Sequence, residues 1–144
     1  MNKKEEVIVT LSGGLDSSTV LALVSSQNKD INAITINYGQ KNWKKEIENV
    51  LKLCEIYNVK KIKIIDFTWL GELGGSSVTD KNIGVLSNDY RNLYVPFRNT
   101  IILSAAVAWA EVIGCNTIYT GSIDGNNEDV CPDNTPNYYK KLNE

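Results

Sequence analysis

Histidine is absent from all 144 residues. That absence removes Ser-His-Asp hydrolases, Cys-His proteases and histidine-ligated metal centres. Cysteine is scarce, and Cys54, Cys115 and Cys131 are odd in number and far apart. The spacing argues against a disulfide framework and against a C-x-x-C zinc site. No run of 18 apolar residues occurs, and Met1-Asn2-Lys3-Lys4-Glu5-Glu6 is not followed by a signal-peptide core. A cytoplasmic chain with no membrane partner is therefore expected. Charge of either sign is not in excess: Lys+Arg 15 against Asp+Glu 17 leaves −2. No strong attraction to nucleic acid follows from such a balance. Repeats and low-complexity segments are also missing, and the length suits one domain with a real core.

What is present is concentrated near the N-terminus, in Val7-Ile8-Val9-Thr10-Leu11-Ser12-Gly13-Gly14-Leu15-Asp16-Ser17-Ser18-Thr19-Val20-Leu21. Three successive β-branched residues read as a strand covered on both faces. Gly13 and Gly14 admit backbone angles closed to other residues and leave room for a ligand to approach the main chain. Asp16, Ser17 and Ser18 are helix-start residues, with apolar Val20, Leu21, Leu23 and Val24 behind them. A strand, a glycine turn and a helix N-terminus in succession make an anion seat, and hydroxyls at Ser12, Ser17 and Ser18 add donors. The expected anion is a phosphate. A Walker loop would need a lysine and a dinucleotide fingerprint a third glycine; neither is here. Ser-Gly-Gly-Leu-Asp-Ser instead resembles the S-G-G-x-D-S loop of the PP-loop (N-type) ATP pyrophosphatases. In that family the loop holds the pyrophosphate released when a substrate is adenylated.

The rest of the chain alternates strand and helix. Strands are predicted over about 5–11, 30–37, 61–66 and 116–120, and helices over about 16–28, 43–57 and 98–114. Cys54, in register with Ile47, Val50 and Leu51, reads as a core residue. Between Phe67 and Leu93 periodicity lapses, and Trp69, Leu70 and Leu73 suggest a packed helical turn within either a substrate loop or an insertion without a role. Ala105, Ala106, Ala108 and Ala110 permit close packing of the third helix on a sheet, and Gly114 closes it. A polar stretch from Ser122 to Asn134 carries Asp124, Glu128, Asp129 and Asp133, and Thr135-Pro136 opens a last helix. This order implies an α/β fold with a doubly wound parallel sheet. If strand four returns beside strand one, Ser12-Gly13-Gly14 and Gly121-Ser122 meet at the switch point where such folds bind ligands. Adenine would then lie near Ile36 and Asn37, bonded chiefly to main chain.

Four further elements sharpen the resemblance. Asn37-Tyr38-Gly39-Gln40 resembles the D-Y-G-Q element of the 7-cyano-7-deazaguanine synthases. Leu70-Gly71-Glu72-Leu73 with Ser76-Ser77-Val78-Thr79 is similar to their L-x-E-L…S-S-L-T run. Tyr94-Val95-Pro96-Phe97-Arg98-Asn99 resembles V-P-G-R-N, and Asp129-Val130-Cys131-Pro132-Asp133 resembles D-x-x-P-D. The departures are Asn37 for aspartate, Phe97 for glycine, Asn134 for cysteine, and no histidine after the Gly-Gln.

The resemblance implies an adenine nucleotide alpha hydrolase-like (HUP/PP-loop) domain over 1–144, shortened on its C-terminal side. It also implies ATP-dependent conversion of 7-carboxy-7-deazaguanine and ammonia to 7-cyano-7-deazaguanine, in the queuosine and archaeosine pathway. Another adenylating amidoligase or tRNA-modifying enzyme, or a nucleotide-binding fragment acting with a partner chain, are the other readings. Leu11 through Leu21, Asn37 and Gly121 are expected to bind ATP, with Ser12, Gly13, Gly14 and Ser17 on the pyrophosphate. Asp16 either binds Mg²⁺ or caps the helix. Arg98 is expected to grip phosphate or carboxylate, unless it makes a surface salt bridge. Asn99 and Asp133 would complete the substrate site. Asp133 would read amino and ring N–H groups of a guanine-like base, or merely shape the turn beside Pro132. The family's zinc site needs four C-terminal cysteines that this sequence does not contain. The exposed edge of such a domain leaves room for a homodimer.

Overall fold

The computed structural model describes residues 4–84, 90–122 and 131–144. Asp124, Glu128, Asp129 and Val130, named above, lie outside these residues, as do Met1-Asn2-Lys3. Four parallel strands, β1 (Glu6–Thr10), β2 (Asp30–Asn37), β3 (Lys61–Asp66) and β4 (Ile118–Tyr119), form one sheet in the order β3-β2-β1-β4. The chain thus winds outward from β1 to β3 and returns to the other side of β1. The reversal falls between β1 and β4, which meets the condition set for the switch point.

Alternate residues of the central strands supply the two halves of the core. Val7, Val9, Ile31 and Ala33 pack against Leu21 and Val24 of α1 (Leu15–Ser25) and Val50 and Cys54 of α2 (Trp43–Ile56). Ile8, Ile34 and Ile36 face Ala106, Trp109 and Ala110 of α4 (Arg98–Ile113). Each fully buried Val, Leu or Ile contributes about 1.5–3 kcal/mol of transfer free energy, so β1 is anchored from both faces. Burial pushes the Cys54 thiol up to about 11, in keeping with a core role.

Several boundaries shift for local reasons. Helix α1 stops at Ser25, short of 28, because Ser25 and Ser26 hydroxyls donate to the carbonyls of Ala22 and Leu23 at 3.1 and 2.7 Å. Strand β4 keeps only two ladder residues. Of the expected packed turn, α3 (Thr68–Glu72), only Leu70 is buried, while Trp69 and Leu73 face solvent. Gly114 ends α4 in the left-handed region at φ 68°. Thr135 caps α5 (Pro136–Asn143) by accepting from the Tyr138 amide at 3.1 Å.

Candidate active site

The first strand delivers the chain into Ser12-Gly13-Gly14 at the carboxyl edge of the sheet. Gly13 has φ +75°, and a Cβ there would lie 2.8 Å from the Glu46 carbonyl oxygen of α2. Its glycine is therefore required by backbone angle and by close packing together. Gly14 is different: it is the N-cap of α1 with φ −84° and ψ 172°, open to any residue. The expectation of special angles at both glycines holds for Gly13 alone.

The hydroxyls of this loop are turned inward. The Gly14 carbonyl accepts from Ser18 N–H (3.1 Å), Ser17 Oγ (3.2 Å) and Ser18 Oγ (2.6 Å). Ser17 Oγ also accepts from the Ser12 amide at 3.2 Å. Ser17 and Ser18 thus brace the turn. Among the described residues, no acceptor reaches the N–H groups of Gly13, Leu15, Asp16 and Ser17. These four amides, at the positive end of α1, are the loop's unspent donors. Asp16 is exposed, and since Gly14 occupies the N-cap, the capping alternative for Asp16 falls. Thr19 donates to the Leu15 carbonyl, Leu21 is buried in the core and Val20 packs against it, so the expected binding stretch runs further along α1 than the crevice does.

Strand β4 closes the other side. Thr10 and Thr120 join their hydroxyls at 2.9 Å, and a Cβ on Gly121 would sit 2.8 Å from the Ser17 nitrogen. Two adjoining chambers open at this junction. One, of about 220 Å³, has apolar walls from Ile34, Ile36, Ile102 and Leu103, with Leu11, Tyr38, Gln40 and Glu46 also lining it. The other, of about 260 Å³, is lined by polar groups including Gly14, Asp16, Ser122 and Asn134. Ser12, Ser17, Arg98, Asn99, Thr120 and Gly121 border both.

Arg98 begins α4 at that border. Its Nη1 donates to the Tyr38 hydroxyl at 3.3 Å, and its guanidinium carbon stands 5.4 Å from the centre of the Tyr38 ring. Among the described residues it has no carboxylate partner. Burial raises the Tyr38 phenol above its usual range; the charge of Arg98 pulls it down and that of Glu46 pushes it up. Preceding Arg98, Phe97 is held at φ 56° and ψ 15° with its ring 66% exposed. That left-handed conformation costs a non-glycine residue roughly 1–2 kcal/mol.

Asn99 and Asp133 are brought together, but on each other. The Asn99 amide N–H donates to Asp133 Oδ2 at 2.9 Å, and Asn99 Nδ2 donates to the Asp133 carbonyl at 3.0 Å. Asp133 is buried and serves the first turn of α4. At the end of β2, Asn37 Oδ1 accepts from Gly39 N–H at 3.1 Å, setting the turn. Gly71 lies so close that a Cβ there would be 2.8 Å from the Tyr38 carbonyl, and Lys41 N–H donates to the Val78 carbonyl at 3.0 Å. The segment after β3 is thereby stitched to the Tyr38-Gly39-Gln40 turn. Sequence reasoning had not singled out Thr10, Thr120 or Glu46, whose only signal is position at a strand tip or a first helical turn.

Among the described residues no group of three or more Cys, Asp or Glu could hold a metal. The cysteines do not fit a zinc site: Cys54 is in the core, Cys115 Sγ faces the Glu6 and Thr117 carbonyls at 3.2 Å each, and Cys131 stands apart. Among the described residues lining the polar chamber, Asp16 is the one carboxylate that could meet a magnesium ion.

The profile of the family described as "Queuosine biosynthesis protein QueC" matches residues 6–144. The chain belongs to the QueC family. Curated QueC relatives named 7-cyano-7-deazaguanine synthase include those of Chlorobaculum parvum, 38% identical over 96% of this chain and 63% of that protein, and of Chloroherpeton thalassium, 38% identical over 95% and 62%. That of Campylobacter hominis is 36% identical over 95% and 64%. The chain thus spans about three fifths of these relatives' length. Among solved structures, the NH3-dependent NAD synthetase from Campylobacter jejuni, in complex with the nitrate ion, shares the fold: TM-score 0.56, 23% identity, 84% of this chain and 49% of that one. The doubly wound PP-loop reading of the fold is borne out. QueC membership also gives the strained Phe97 a context, since the V-P-G-R-N element carries glycine at the position whose backbone is left-handed here.

Proposed function

We propose that this chain performs the nucleotide-dependent activation step of 7-cyano-7-deazaguanine synthesis. The observation that carries the reading is that Asp16, Ser17 and Arg98 line one crevice between β1 and β4, with the Asp16 and Ser17 amides among the loop's four unspent donors. Beside it, the apolar chamber under Ile34 and Ile36 suits the adenine of ATP, and the polar one its phosphates. The carboxylate of 7-carboxy-7-deazaguanine attacks the α-phosphate of ATP, and pyrophosphate leaves. Ammonia then displaces AMP to give the amide. With a second ATP the amide oxygen is adenylated, and loss of AMP and a proton leaves the nitrile.

A carboxylate is already a nucleophile, so this step requires no histidine. Its residues position and neutralise. The loop amides cradle the departing pyrophosphate, and Arg98 steadies the reacting phosphate or carboxylate with its planar fork. Asp16 holds Mg²⁺, which when bound supplies further charge neutralisation. Asn99 and Asp133 place Arg98, and Asp133 Oδ1, which has no donor among the described residues, would be the atom to meet a base. The test is incubation with ATP, ammonia and the carboxy-deazapurine. AMP release that requires all three, with nitrile formed, supports the reading. Pyrophosphate release without nitrile favours another adenylating enzyme of the same fold, and binding without turnover a nucleotide-binding module.

A further inference from the structure

Glu46 has no part in the steps above, yet it lines the apolar-walled chamber from the first turn of α2. Its orientation is set by Gln40, which is 5% exposed and fully used. Gln40 Oε1 accepts from the Tyr38 amide at 2.9 Å, and Nε2 donates to the Ile36 carbonyl at 3.2 Å and to Glu46 Oε2 at 2.9 Å. One carboxylate oxygen is thereby fixed. Among the described residues the other, Oε1, has no donor, and no lysine or arginine lies within ion-pair distance. Glu46 is itself half-buried, not fully open to solvent. An ionised carboxylate can only accept hydrogen bonds. A held acceptor beside Ile34, Ile36, Ile102 and Leu103 calls for a flat apolar occupant that carries an N–H donor at its edge.

We infer that Glu46 Oε1 accepts a hydrogen bond from the exocyclic amino group of the purine in this chamber, which makes Glu46 a specificity-determining residue. The amino group is the 6-amino of adenine or the 2-amino of a deazaguanine. A keto oxygen at the same place would set two acceptors face to face, so oxo analogues are rejected as well as those with hydrogen there. The inference rests on the reading that nucleotide or base occupies this crevice.

The experiment measures equilibrium binding to the full chain by calorimetry for two ligand pairs. The first pair is ATP against purine riboside triphosphate, with inosine triphosphate as the oxo control. The second is 7-carboxy-7-deazaguanine against its analogue without the 2-amino group. The wild type should favour the amine-bearing member of one pair by about tenfold or more, the weight of one hydrogen bond to a charged acceptor. That pair identifies the base. Glu46→Gln should abolish this preference while leaving affinity for the amine-free member and the melting temperature unchanged. Wild-type affinities within about twofold in both pairs overturn the inference, and that comparison needs no variant. So does a Glu46→Gln protein that loses affinity equally for every ligand, the signature of a strut for Gln40. Absence of any ATP binding overturns the nucleotide reading itself, whereas ATP binding without amine discrimination in either pair overturns only the role of Glu46.

Discussion

The main-chain N–H of Asn99 donates to Asp133 Oδ2 at 2.9 Å, tying the start of α4 to a residue 34 positions later. An amide in the first helical turn has no intrahelical acceptor, so this carboxylate acts as a cap supplied from a distance. Asp133→Ala should cost about 1–2 kcal/mol. Asp133→Asn, which keeps an acceptor, should cost less. Urea denaturation checks this through the midpoint at constant slope. Equal midpoints for alanine variant and wild type would remove Asp133 from the support of α4.

The two loop glycines should respond oppositely. Gly13→Ala meets the Glu46 carbonyl at 2.8 Å from a φ of +75°, and relief requires backbone movement in the loop and in α2. A loss of at least about 1–2 kcal/mol is expected. A Cβ on Gly14 finds nothing nearer than Ser12 Oγ at 3.5 Å. Gly14→Ala should shift the melting temperature by no more than about 2–4 °C, checked by thermal melts followed by circular dichroism.

Phe97→Gly should stabilise the fold by about 0.5–1 kcal/mol, since it relieves left-handed strain at φ 56° and the lost ring is mostly exposed. Phe97→Ala keeps a Cβ and should not reproduce the gain. The pair of denaturation curves separates strain from loss of the aromatic ring.

Arg98→Lys removes the planar fork and its seat on the Tyr38 ring while preserving charge. AMP formation should fall by about tenfold or more. Stability should hardly change, because among the described residues no ion pair is broken. Turnover beside a melting curve distinguishes this from a folding defect.

Much of this architecture was legible because β1, β2 and α2 follow simple rules of burial and period. Strands 30–37 and 61–66 fall where they are predicted. The crevice was legible too, since Ser12-Gly13-Gly14 and Gly121 sit at strand tips that the topology must bring together. What stayed hidden depends on distant partners. Nothing beside Asp133 in sequence announces that its carboxylate caps α4. The inward turn of Ser17 and Ser18 depends on the Gly14 carbonyl being free to accept them. Nor does an exposed-looking glutamate at the start of α2 reveal that Gln40 reaches it across six residues.

The central claim is that the open amides of the first loop hold a polyphosphate, and amide chemical shifts read it directly. Titration of the ¹⁵N-labelled chain with ATP and Mg²⁺ should move the Gly13, Leu15, Asp16 and Ser17 resonances most, with Gly121 following. Largest shifts at the opposite end of the sheet, around Lys29, Asp30 and Lys60, or none at saturating ATP, would contradict the account.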